Sequence, residues 1–120
     1  MRHLLFFIGI LAVLSPAVVS ADCRSAISNG DDAYSYSQKA YYEDSLVDAQ
    51  NYARKAKTAA EDATSAAQNC KCNKAASDFD DAAMYSRRAN NASGLSELRD
   101  NARRAMRAVE YGLTAVGNCR

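Results

Sequence analysis

Apolar positions along this chain form one opening run and then four stripes of helical period. From Leu4 to Leu14 the side chains are apolar almost without interruption. Beyond that run Cys23, Ala26, Gly30, Ala33, Ser37 and Ala40 recur at alternating steps of three and four, the spacing that lines one face of an α-helix. A second stripe runs through Leu46, Ala49, Ala53, Ala56, Ala60, Ala63, Ala67 and Cys70. The rhythm then starts again with Cys72, Ala75, Phe79, Ala82, Ser86 and Ala89, followed by Leu95, Leu98, Ala102, Ala105, Val109, Gly112, Val116 and Cys119. The spacing slips between Ala40 and Leu46 and between Ala89 and Leu95. Asn90-Asn91-Ala92-Ser93-Gly94 supplies turn chemistry at the second slip, and Asp44 or Ser45 offers a helix cap at the first. The pattern predicts helices near 24–41, 46–69, 73–90 and 95–118, with a single helix through 41–46 as the alternative at the first slip.

The two halves are copies of one another. A shift of 49 residues aligns 22–70 with 71–119 without a gap and gives 18 identities. Cys23 falls on Cys72, Cys70 on Cys119, Asp31-Asp32-Ala33 on Asp80-Asp81-Ala82, and Tyr36-Ser37 on Tyr85-Ser86. An Ala-rich composition can inflate chance identity, but it does not place both cysteines and an Asp-Asp-Ala triplet in register. Two similar helical hairpins imply an all-α, up-down four-helix bundle made of two duplicated disulfide-stapled helical hairpins.

The opening run has a different meaning. Arg2 and His3 precede it, and Val19-Ser20-Ala21 follows it with the small residues that signal peptidase accepts. Residues 1–21 are therefore expected to be a cleaved secretory signal peptide, and 22–120 a single helical domain comprising repeats 22–70 and 71–119. A retained anchor is the alternative, but the apolar run is shorter than the roughly 20 residues that span a bilayer; no second apolar span follows, so no integral membrane segment is expected after cleavage. The expected localisation is secreted or periplasmic.

Composition then limits the core. After Ala21 only 11 residues are Leu, Ile, Val, Met or Phe, with seven Tyr to supplement them. Alanine is the best helix former and permits close helix approach, yet it buries little area. Phe79, Leu98, Met106, Val109, Leu113 and Val116 should make the second hairpin the better filled. Cross-links are the natural supplement to so thin a core, and an exported protein meets oxidising conditions. The hairpin geometry favours Cys23–Cys70 and Cys72–Cys119. Cys23–Cys72 with Cys70–Cys119 also respects the duplication, and four thiolates gathered around a metal are the chemical alternative.

Little in the sequence points to catalysis. The only His lies in the leader, so no Ser-His-Asp or Cys-His arrangement remains in 22–120. The Asp31-Asp32 and Asp80-Asp81 doublets point in different directions on a helix and are expected to solvate the surface or oppose a helix dipole near its start. The protein is expected not to be an enzyme, and neither a cofactor nor a metal is expected. Beyond the leader, 14 Lys and Arg balance 14 Asp and Glu, which argues against specific nucleic-acid binding. The first repeat carries a formal charge of −3 and the second +2.

Two features suit recognition. Tyr36, Tyr41, Tyr42 and Tyr52 crowd the first repeat, and tyrosine combines apolar contact with a hydrogen-bonding tip. Arg99, Arg103 and Arg107 form a ridge at four-residue spacing that could face an acidic partner, although Glu97, Asp100 and Glu110 offer local pairing. Asn91-Ala92-Ser93 is an N-glycosylation pattern in a turn. The function expected is a small exported protein-interaction module, an inhibitor, adaptor or secreted effector, whose partner is another protein. The alternatives are a structural or self-associating envelope protein and a small-ligand or metal-binding helical module.

Overall fold

The computed structural model describes the backbone of residues 6–119 and the side chains of residues 23–119. Four helices, α1 (Phe6–Tyr42), α2 (Leu46–Asn69), α3 (Asn73–Asn90) and α4 (Leu95–Gly117), pack in cyclic order as an up-down bundle. The first slip is a break, not a continuous helix: α1 stops at Tyr42 and α2 begins at Leu46. The other end of α1 differs from the expected start near residue 24. No Gly or Pro stands between Ala17 and Asn29, so nothing in the sequence interrupts a helix there. The expected leader, 1–21, lies outside the residues whose side chains are described. Among the described residues no helix is long and apolar enough to cross a membrane.

Both disulfides form within hairpins, Cys23–Cys70 and Cys72–Cys119, with Cα separations of 5.5 and 5.9 Å. The crossed pairing is set aside, and no thiolate is left for a metal. Between the two staples Lys71 adopts a left-handed conformation, φ 64°. Lys71 N–H donates to Gln68 O and Cys72 N–H to Ala67 O. These are the paired bonds of a Schellman ending, in which the left-handed residue is usually glycine. That reversal brings α2 into α3 with a single residue between the cysteines.

The core follows the alanine stripes. Ala26, Ala33 and Ala40 of α1 and Ala49, Ala53, Ala56, Ala60, Ala63 and Ala67 of α2 are all buried. The largest fully buried apolar side chains, Phe79, Leu98 and Val109, belong to the second repeat. Their counterparts in the first are Gly30, Ala49 and Ala60. One repeat thus supplies the volume, and the other supplies the space.

Two apolar clusters result. One holds Phe79, Val109 and the alanines toward the disulfides, and the other holds Leu98, Ala40, Ala49 and Ala89 toward the turns. On every helix one buried residue lies between them in sequence and in neither: Ser37, Ala56, Ser86 and Ala105. All four are related by the repeat. Among the described residues the Ser37 and Ser86 hydroxyls have no hydrogen-bond partner, so this layer carries two unsatisfied polar groups.

The turns are tied across the bundle by a second repeat-related pair. Arg99 of α4 donates through Nη2 to Glu43 O at 3.0 Å and through Nε to Tyr41 O at 3.1 Å. At the equivalent position in α2, Gln50 Nε2 donates to Ala92 O at 2.9 Å. Glu43 and Ala92 are themselves equivalent. Each hairpin therefore satisfies a carbonyl in the turn of the other.

Candidate functional site

The residues expected to bind a partner occupy three places. On the α1–α2 face, Tyr36 and Lys39 stand three residues apart on α1, and Tyr52 and Lys55 stand three apart on α2. Residues at that spacing share a helix face, and the antiparallel helices bring the two pairs together. Lys39 Nζ lies 5.6 Å from the Tyr36 ring centroid and 5.8 Å from that of Tyr52. Lys55 Nζ lies 5.8 Å from the first and 5.9 Å from the second. Each such contact contributes about 0.5–1 kcal/mol at an exposed site. Both rings are half-buried and both lysines exposed.

Beside this cluster runs an open groove of about 410 Å³, whose walls include Asp32, Tyr36, Arg54, Lys55 and Asp62. Among the described residues Lys39, Arg54 and Lys55 form no ion pair, whereas Lys57, Lys74, Arg99, Arg103 and Arg104 all do. Three cations are therefore uncommitted beside two tyrosine rings.

No family model, no curated protein and no solved structure matches the chain.

Tyr41, Tyr42, Arg99 and Arg103 lie instead at the turn end, between α1 and α4. Tyr42 is exposed, and its ring meets that of Tyr41 edge-on with centroids 5.0 Å apart. Tyr41 packs against the cluster near the turns. Arg99 is spent on the Tyr41 and Glu43 carbonyls and on Asp44 Oδ1 at 3.3 Å. Arg103 donates to Asp100 Oδ1 at 2.9 Å and Arg104 to Asp100 Oδ2 at 3.2 Å. The Arg104 hydrogen bond is the largest cause holding the Asp100 carboxyl below its ordinary range, with Arg103 adding to it. Asp100 in turn raises Arg104, with a smaller contribution from Tyr85. The ridge expected from the four-residue spacing is thus mostly paired within the protein.

Arg107 stands apart from both groups, on the α3–α4 face with Asp81, Tyr85, Arg104 and Tyr111. The acidic doublets are exposed. Asp80-Asp81 lies about two turns inside α3 and Asp31-Asp32 well inside α1, too far for the dipole role expected of them, which fades beyond the first turn. Asn91 is exposed at the end of α3.

Sequence reasoning singled out Tyr36 and Tyr52 and omitted Lys39 and Lys55. The signal was present in the repeated Tyr-x-x-Lys spacing of Tyr36–Lys39 and Tyr52–Lys55. Among the described residues no group of His, Cys, Asp or Glu is placed to hold a metal ion.

Proposed function

We propose that this is a small exported protein-interaction module whose α1–α2 face captures an acidic segment of another protein, as an inhibitor, adaptor or secreted effector does. The observation that carries this reading is the pairing of two lysines with two tyrosine rings beside a groove whose cations have no carboxylate partner among the described residues. An incoming carboxylate gains charge-assisted hydrogen bonds there, and the ring faces give apolar contact to the stem that bears it. The cluster sits on two helices locked by a disulfide, so little ordering cost is paid on binding. Export is supported by the leader pattern of residues 1–21 and by the use of every cysteine in a disulfide.

The test is affinity capture from extracellular or envelope extract with the oxidised protein and its Lys39→Glu/Lys55→Glu variant. Both lysines are exposed, so the variant keeps the core. Loss of a saturable protein partner is the expected result, with helix content kept and the unfolding midpoint lowered only by the lost lysine–tyrosine contacts. Undiminished capture contradicts the reading, and capture of the chain itself alone points to self-association.

A further inference from the structure

The α1–α2 groove has a counterpart at the same repeat positions on the α3–α4 face. Asp81, Tyr85, Arg104, Arg107, Ala108 and Tyr111 line a concavity of about 230 Å³. Shifted back by one repeat, these are Asp32, Tyr36, Lys55, Thr58, Ala59 and Asp62, all of which line the first groove. The cation over the ring is kept as well. Arg88 lies 5.7 Å from the Tyr85 centroid and is the equivalent of Lys39 over Tyr36.

What the two copies share is chemical as much as literal. Tyr36 and Tyr85 are identical, as are Asp32 and Asp81, and Ala59 and Ala108, while Lys39 and Lys55 become Arg88 and Arg104 with charge retained. The framework did not require this. Fewer than half of the aligned pairs are identical, and the core itself changed Gly30 to Phe79 and Ala60 to Val109. Two differences favour anions in the second copy, Thr58 replaced by Arg107 and Asp62 by Tyr111, and one opposes them, since Asp100 holds Arg104 where Lys55 is unpaired among the described residues. Arg88 and Arg107 form no ion pair among the described residues.

From this we infer that the α3–α4 groove is a second binding site for an acidic protein segment, so that one molecule holds two such segments at once. The helices pack in cyclic order, which puts the α1–α2 and α3–α4 faces on opposite sides of the bundle. Two sites so placed cannot serve one short peptide. They bridge two chains, or two distant segments of one chain, and bridging raises avidity without new contacts. Among the described residues each site keeps unpaired cations in excess of its carboxylates, Lys39, Arg54 and Lys55 at the first and Arg88 and Arg107 at the second, so binding at both is sensitive to salt. This inference rests on the reading of the first groove as a site for acidic segments.

Calorimetric titration of the oxidised protein with an end-capped Glu-Glu-Tyr-Glu-Glu peptide tests it, with the Gln-Gln-Tyr-Gln-Gln peptide as control. Expected are two acidic peptides per protein and no binding of the control. Lys39→Glu/Lys55→Glu and Arg88→Glu/Arg107→Glu should each reduce the stoichiometry to one, and their combination should abolish binding. All four residues are exposed, and circular dichroism verifies that each variant keeps its helices. A single peptide per protein, lost with the lysine pair and indifferent to the arginine pair, overturns the second site and leaves the first intact. No binding of the peptide, or binding only to phosphatidylserine vesicles, overturns the acidic-segment reading of both grooves.

Discussion

Gly30 and Phe79 occupy the same position in the two repeats and touch each other: a Cβ built on Gly30 would lie 3.0 Å from Phe79 Cε1. Equivalent positions in contact must lie beside the pseudo-twofold axis that relates the hairpins. Two phenylalanines would not fit there and two glycines would leave a void, so the pair has diverged in opposite directions. Gly112 of α4 completes the slot, since a Cβ there would approach Phe79 Cε1 to 2.5 Å.

Gly112→Ala should therefore destabilise, although alanine is the better helix former by about 1 kcal/mol. Overpacking against a ring with no free space costs about 1–3 kcal/mol, which outweighs the propensity gain. Gly117→Ala, where a Cβ meets nothing within 4 Å, should stabilise slightly. Guanidinium denaturation of both variants checks the contrast. Phe79→Leu combined with Gly112→Ala should recover part of the loss, giving a nonzero coupling in the double-mutant cycle.

Lys71→Gly should raise stability. The left-handed backbone at φ 64° costs an L-residue about 1–2 kcal/mol. Glycine removes that cost and returns part of it through the greater freedom of the unfolded chain, about 0.5–1 kcal/mol. The net gain expected is about 0.5–1 kcal/mol, read from the denaturation midpoint at unchanged slope. A lower midpoint contradicts the account of the reversal between the disulfides.

Arg99 and Arg103 should behave differently on truncation, despite their common place in the sequence ridge. Arg99→Ala leaves the Tyr41 and Glu43 carbonyls without their donor and should cost about 1–2 kcal/mol. Arg103→Ala removes an exposed ion pair while Arg104 still holds Asp100, and should cost less than about 0.5 kcal/mol. Urea denaturation of the two single variants separates them. Equal effects would mean that the bonds across the turns contribute nothing.

Ser37→Ala and Ser86→Ala should each stabilise by about 1 kcal/mol. Each removes a buried hydroxyl with no partner among the described residues, and leaving such a group unsatisfied costs about 1–3 kcal/mol. The lost oxygen leaves only a small gap in an alanine layer. Thermal denaturation reads the outcome, and a destabilised double variant would show that the hydroxyls are satisfied in solution.

The fold was legible because its signals are periodic and doubled. The stripe from Leu46 to Cys70 and its copy from Leu95 to Cys119 define α2 and α4 to within two residues, and matched cysteines at matched hairpin ends give the disulfides. The site was only half legible. Tyrosine enrichment pointed to Tyr36 and Tyr52, but their grouping with Lys39 and Lys55 depends on how two antiparallel helices face each other, which spacing along one chain does not state. The Arg99–Arg103–Arg107 spacing correctly placed three residues on one helix. It could not show that a turn carbonyl consumes the first and Asp100 the second, because those partners lie on another helix or compete locally. Arg107 was seen as the end of a ridge, whereas it is part of a groove shared with Tyr85 of α3.

Mapping the contact by nuclear magnetic resonance tests most directly whether the α1–α2 groove is where this protein meets its partner. Titration of the ¹⁵N-labelled oxidised protein with the end-capped acidic peptide should shift the amides around Tyr36, Lys39, Tyr52 and Lys55, together with those around Tyr85, Arg88 and Arg107 of the second groove, with helix content unchanged. Shifts confined to Tyr41, Tyr42, Arg99 and Arg103 at the turn end, or none at saturating peptide, would contradict the account.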